Sequence, residues 1–193
     1  MFGTLALNNS DLLILILICF FAGLIRGFSG FGLSAFVMSL ALTIIPPIEL
    51  IPVCWWMEFF ASVFMIKNGW KDSDKKISVI LWLGAIFGLP IGIFLTTILD
   101  FQTSKIIALV LILILALILL KNLKIQFLST TAGTGFSGVC AGVATGLASI
   151  GGMIVATYVL ASQNSARRMR ASLVLYILLN SITTFIFLII FDV

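Results

Sequence analysis

An arginine stands at position 26, between an apolar stretch ending near Ile25 and the glycine-rich run Gly27-Phe28-Ser29-Gly30-Phe31-Gly32. Arginine inside an apolar run is rare and costly, and it is retained where it faces a counter-charge, a cluster of carbonyls or a water-filled cavity. Glycines at 27, 30 and 32 let the backbone leave helical geometry. A helix restarting near Leu33 would then aim unbonded N–H groups and the positive end of its dipole at the same cavity. A guanidinium beside a helix N-terminus is oxyanion-binding chemistry. The reading without function is an arginine snorkelling to an interface from a short helix.

A second small-residue run, Gly142 through Gly152, offers Thr145, Ser149, Gly151 and Gly152 without any charge. It could supply hydroxyl and backbone donors to the other half of an oxyanion cradle, or equally a surface on which two helices pack closely. Glu58 falls near the middle of the apolar segment 51–66, so in ionised form it needs a partner. It could pair with Arg26 until an anion displaces it, carry a co-transported proton, or reach headgroup water beside Trp55 and Trp56 on a tilted helix. Glu49, next to Pro46-Pro47, reads as a solvated loop residue, and Asn180 as a polar contact between helices and a weaker site candidate. The stretch from Lys67 to Lys76 reads as a solvated connector.

Composition defines the elements that must carry these residues. Of the 193 residues, 62% are hydrophobic and 9% charged, whereas a soluble domain carries about a quarter of its residues charged. The apolar segments, 11–25, 31–45, 51–66, 77–99, 105–120, 131–145, 150–161 and 171–191, are apolar on every side. They lack the in–out alternation of a membrane barrel, so the expected fold is an all-α, multi-pass protein of the cell membrane in one domain, 1–193. Histidine is absent, which removes imidazole bases and His-ligated metals. Cys19, Cys54 and Cys140 stand singly in apolar stretches as small hydrophobes. The basic residues sit in short loops beside apolar segments, where positive charge sets topology and does not indicate a nucleic-acid partner. No cofactor is implied.

Residues 11–45 as one straight helix would measure about 52 Å, which overshoots a single crossing. Outside Arg26 there are ten basic residues: Lys67, Lys71, Lys75, Lys76, Lys105, Lys121, Lys124, Arg167, Arg168 and Arg170. If each glycine-broken region crosses once, they divide six to four between the two faces. If each returns to the side from which it started, nine fall together and only Lys105 lies opposite. The positive-inside rule favours the second arrangement, with the nine in the cytoplasm. A shift of 120 residues brings Ser29, Gly30 and Gly32 onto Ser149, Ile150 and Gly152. Two inverted-topology repeats are therefore expected, about 11–120 and 131–193, each opening with a glycine-broken helix pair.

The run from Gly23 to Gly32 followed by Pro46-Pro47 resembles the first signature of the TauE/SafE family of sulfite exporter-like membrane proteins. Gly84 to Gly92, Asp100 leading into Ile106 to Leu120, Gly142 to Gly152, and Arg167 to Ser172 leading into Leu173 to Ser181 fit the same family. The resemblance implies a transporter of small sulfur oxyanions such as sulfite or organosulfonates, with Arg26, Ser29, Gly30 and Gly32 facing substrate from the first half and Ser149, Gly151 and Gly152 from the second. Relatives often follow the second Gly-Gly with proline, where Met153 and Ile154 stand here. Family members also usually run on beyond this end, so the second repeat is expected to be truncated.

The expectation is a secondary transporter of a small anion working by alternating access, with Glu58 as ion-pair partner or coupling residue. Its partners would be that anion and the lipid bilayer, with a homo-oligomer or a completing subunit left open. The competing expectation is a non-transporting membrane subunit or scaffold whose glycine-rich breaks serve packing. An enzyme is the weakest reading, because beyond Glu58 no embedded nucleophile and base stand at a recognisable spacing.

Overall fold

The computed structural model describes residues 8–121, 130–161 and 165–191. Among them the chain forms eight helices and no strand: α1 (Asn9–Ser29), α2 (Leu33–Ala41), α3 (Pro47–Asp72), α4 (Lys75–Ile98), α5 (Phe101–Leu120), α6 (Thr131–Ala148), α7 (Gly151–Ala161) and α8 (Ala166–Ile190). Five contain a stretch long and apolar enough to cross a membrane, in α1, α3, α4, α5 and α8. Leu13, Ile16 and Phe20 of α1, like Ile106 and Leu113 of α5, are exposed and supply an apolar surface that suits lipid.

α2 and α7 are too short to span, and each returns after a break. At the first break α1 ends in a left-handed cap, with Gly30 at φ 83° donating its N–H to the Arg26 carbonyl at 2.9 Å. Gly32, at φ 87°, forms the N-cap of α2. At the second break the left-handed residue is Ser149, at φ 56°. Its N–H reaches the Thr145 carbonyl at 2.7 Å, and the N–H of Ile150 reaches Ala144 at 3.2 Å. The Tyr158 hydroxyl near the end of α7 lies 2.8 Å from that of Thr134 near the start of α6, so α7 folds back along α6.

Both breaks are narrower than the glycine content suggests. Gly27 remains helical within α1, and Gly142 and Gly146 remain helical within α6. Those α6 glycines instead build a ladder with α4. A methyl group on Gly84, Gly88 or Gly92 would strike the backbone of Gly135, Val139 or Val143, and one on Gly138, Gly142 or Gly146 that of Leu81, Ala85 or Ile93. Rising residue numbers on one helix meet rising numbers on the other, so α4 and α6 run parallel at backbone contact, the geometry small-residue interfaces permit. The Thr96 hydroxyl donates across this seam to the Gly146 carbonyl at 3.0 Å.

α3 and α8 form the second long contact and run antiparallel, with Gly69 against Val174 and the Trp55 indole N–H donating to the Ser181 carbonyl at 2.7 Å. The expected connector from Lys67 to Lys76 is mostly helix: α3 continues to Asp72, and only Ser73 and Asp74 separate it from α4. Ion pairs Arg167–Asp72 at 2.8 Å and Arg168–Asp74 at 2.9 Å fasten this corner to the start of α8. Glu49, expected in a loop, lies in the first turn of α3, where Pro46 is the N-cap, Pro47 opens the helix and a carboxylate favours the dipole.

A shift of 120 residues carries α1, α2 and α3 onto α6, α7 and α8, and α3 runs against α8. The starts of α4, α6 and α8 and the ends of α3 and α5 lie at one end of the bundle, together with eight basic residues. Lys105 lies at the other, and Lys124 lies outside the described residues.

Candidate functional site

Arg26 sits one turn before the end of α1, and its side chain turns into the protein, leaving the residue 1% exposed. Its Nε lies 3.0 Å from Oε2 of Glu58, and Nη2 donates to the Ser62 hydroxyl at 2.8 Å. Glu58 and Ser62 are four residues apart on α3 and so share a face. The other carboxylate oxygen of Glu58 accepts from the Ser34 hydroxyl at 3.0 Å and, more weakly, from the Ser34 N–H at 3.4 Å. Ser34 is the second residue of α2, one of the first-turn positions whose N–H has no partner within its own helix. The α2 N-terminus therefore points at an anion beside a guanidinium, and the anion held there is the protein's own carboxylate.

This arrangement excludes two of the sequence-based alternatives. Arg26 is enclosed and does not snorkel to an interface. Glu58 is itself buried and paired with Arg26 and so does not reach headgroup water, and of the two neighbouring tryptophans Trp55 is buried too, stacked between Phe59 and Phe185 at ring separations of 5.5 and 4.9 Å, while Trp56 is exposed. Among the described residues Arg26 Nη1 has no hydrogen-bond partner. A buried charged donor without a protein partner is expensive to maintain, and a water molecule or an anion can satisfy it.

Glu58 also borders a small cavity of about 30 Å³ lined from the second half of the chain by Thr145, Ser149, Gly152, Tyr176 and Asn180. That volume holds a water molecule or two and is too small for a four-atom oxyanion. The first turn of α7 begins here, so its N-terminal amides offer donors similar to those of α2. The Asn180 side-chain amide makes a long 3.4 Å contact with the Thr145 hydroxyl, and its Oδ1 has no partner among the described residues.

The residues expected to face substrate thus divide. Arg26, through Glu58, and Ser149 and Gly152 gather around this cavity. Gly151 does not, because it backs onto Thr145 and the Ala141 carbonyl of α6, with no room for a side chain. Ser29, Gly30 and Gly32 form the turn itself. The Ser29 hydroxyl accepts the Phe31 N–H at 3.1 Å and lies 2.8 Å from the Ile25 carbonyl, Gly30 packs under the Arg170 side chain, and Gly32 lies against Ile25. Ser29 borders a different space, an open cleft of about 660 Å³ at the basic end of the bundle, lined also by Phe28, Phe64, Arg167, Arg170 and Val174. The Arg170 guanidinium, in the lining of this cleft, donates to the Gly27 carbonyl near the end of α1.

Ser34, Ser62 and Arg170 were not singled out from sequence. The four-residue interval between Glu58 and Ser62 was an available signal. The contact of Arg170 with the first break was not, because it joins positions 143 residues apart.

Among the described residues no group of three or more cysteine or acidic side chains could hold a metal ion, and the three cysteines are free. The family model described as Sulfite exporter TauE/SafE matches residues 15–193. No curated protein and no solved structure matches the chain.

Proposed function

Because the chain belongs to the sulfite exporter TauE/SafE family, an integral membrane family of transporters of sulfur-related anions, we propose that it is a secondary transporter of a small sulfur oxyanion. The substrate on this reading is sulfite or an organosulfonate, held between Arg26 and the amide and hydroxyl donors of the two breaks. The observation that carries the proposal is the enclosed guanidinium of Arg26, with Nη1 unpartnered among the described residues, beside the N-terminus of α2. Ser149 and Gly152, with the first turn of α7, are the second-half donors; Ser29, Gly30 and Gly32 act through the shape of the turn.

Two repeats, about 11–120 and 131–193, are read as the moving units, in line with the opposed courses of α3 and α8. By the positive-inside rule the basic end of the bundle is cytoplasmic, so the 660 Å³ cleft opens to the cytoplasm while the cavity at Glu58 is closed. Alternating access then requires that cavity to enlarge as the cleft closes.

The test is sulfite flux into proteoliposomes for the wild type and Arg26→Gln, with sulfate and methanesulfonate as competitors and both proteins monodisperse. Loss of the charged donor is expected to lower flux about tenfold to a hundredfold. Unchanged flux in the variant, or none from a well-folded wild type, overturns the reading. The glycine ladder of α4 and α6 favours a second reading, a non-transporting subunit built for close packing. On that reading Arg26→Gln harms folding and changes no anion binding.

A further inference from the structure

A site built for an anion is occupied here by a carboxylate of the protein itself. Glu58 holds the positions an oxyanion would take: one oxygen on the guanidinium of Arg26, the other on the hydroxyl and N–H of Ser34. The pair is buried, and its charges cancel. An incoming anion would bring a third charge into a region where an unbalanced one is strongly disfavoured.

The surroundings offer ionised Glu58 no second home. Among the described residues the titratable groups around it are Arg26 from α1, Cys54 one turn away on α3, and Tyr176 from α8, which borders the same cavity. From α2 it meets Ser34, and the cavity it borders is lined from α6, α7 and α8 by uncharged groups, Thr145, Ser149, Gly152, Asn180, Ser181 and Thr184. Arg170, the nearest other cation to the break, bonds the Gly27 carbonyl and lies exposed at the cleft. Resting on the proposed anion site, we infer that Glu58 is its resident anion, and that an external anion binds Arg26 and the α2 N-terminus only when Glu58 takes up a proton from water.

The charges then balance. A carboxylate and a proton become a neutral carboxylic acid, the anion replaces the carboxylate opposite Arg26, and the site stays neutral overall. The acid still has partners, since the Thr145, Ser149 and Asn180 side chains border the cavity on which Glu58 opens. One proton accompanies each monovalent anion, so the transport step carries no net charge, and proton and anion move in the same direction.

The experiment is isothermal titration of purified protein with methanesulfonate, whose charge does not change with pH, at pH 6, 7 and 8 in two buffers of different ionisation enthalpy. Every proton taken up then belongs to the protein. For the wild type, affinity is expected to fall about tenfold per unit rise in pH, with close to one proton taken up per anion at pH 8. Glu58→Gln is expected to bind at pH 8 at least as tightly as the wild type at pH 6, with no pH dependence and no proton uptake. Glu58→Asp, which retains the carboxylate, is expected to retain the pH slope.

Wild-type binding without proton uptake overturns the inference whether or not the glutamine variant folds. So does a glutamine variant that keeps the wild-type slope. In both cases the anion site stands. Absence of binding by folded wild type and variant at all three pH values instead overturns the anion site, and this inference with it.

Discussion

Removing one member of the Arg26–Glu58 pair should cost far more than removing both. Replacing Glu58 with methionine leaves a guanidinium 1% exposed whose one remaining hydrogen-bond partner among the described residues is the Ser62 hydroxyl. Replacing Arg26 with methionine leaves a carboxylate held, among the described residues, by Ser34. An orphaned buried charge of this kind destabilises by about 3–5 kcal/mol. In the double variant no charge remains, and the loss reduces to stranded hydroxyls at Ser34 and Ser62 and imperfect packing, about 1–3 kcal/mol. The double variant should therefore be more stable than either single one, with a coupling of several kcal/mol. Unfolding by sodium dodecyl sulfate in mixed micelles measures this, followed by tryptophan fluorescence, since buried Trp55 packs between α3 and α8 near the pair. Additivity of the two single effects within about 0.5 kcal/mol would mean that the charges do not interact, and would remove the ion pair from both the function proposed and its proton linkage.

Two further outcomes follow from the packing and the caps. Gly88→Leu, which drives a side chain into the Val139 backbone, should abolish the native fold, whereas Gly23→Ala, at a helical position with open space beyond it, should be neutral or stabilising by about 0.5–1 kcal/mol; thermal unfolding of the two detergent-solubilised variants decides this, and a stable Gly88→Leu protein would refute the ladder. Asp100 caps α5 by accepting the Thr103 N–H at 3.1 Å, and this bonding to Thr103 holds its carboxyl below the usual range. Its stabilisation is then present at neutral pH and lost as pH falls through that lowered value, so the difference in melting temperature between wild type and Asp100→Ala should shrink from pH 7 to about pH 2; a constant difference would show that the cap carries no charge dependence.

Much of the architecture was legible because its signals are chemical. Apolar length marked the spans, and the clustering of basic residues implied that both broken regions turn back. The limits appear at individual glycines. Gly27, Gly30, Gly142 and Gly152 look alike in sequence, yet Gly30 is left-handed, Gly27 is helical, and Gly142 is helical with the backbone of α4 pressed against it. A glycine permits both a left-handed turn and a close approach, and only the partner decides which is used. The four-residue interval of Gly84, Gly88 and Gly92, repeated at Gly138, Gly142 and Gly146, was the readable sign of the ladder. The pairing of Arg26 with Glu58 was one of several open readings, because nothing in a linear chain says which face of α3 meets α1. Ser29 was expected to contact substrate, but its hydroxyl is used by the turn that makes the break.

The distribution of the site between the two halves bears on how it could move. Arg26, Ser34, Glu58 and Ser62 all belong to α1, α2 and α3, so this cluster can travel as one body. The opposite wall, Thr145, Ser149, Gly152 and Asn180, belongs to α6, α7 and α8. An anion between them would touch both bodies, whereas the resident carboxylate of Glu58 satisfies only its own. The α4–α6 ladder resists sliding, because a shift of register would bring side chains to positions where only glycine fits against the facing backbone. The α3–α8 contact is made largely by side chains, and α3 carries the ion pair, so opening the closed cavity falls more naturally to movement at this seam. Movement of one repeat against the other that pivots about the α4–α6 ladder, with α3 parting from α8, would open the Glu58 cavity without breaking the Arg26 cluster, and would make the arrival of anion and proton the event that joins the two walls.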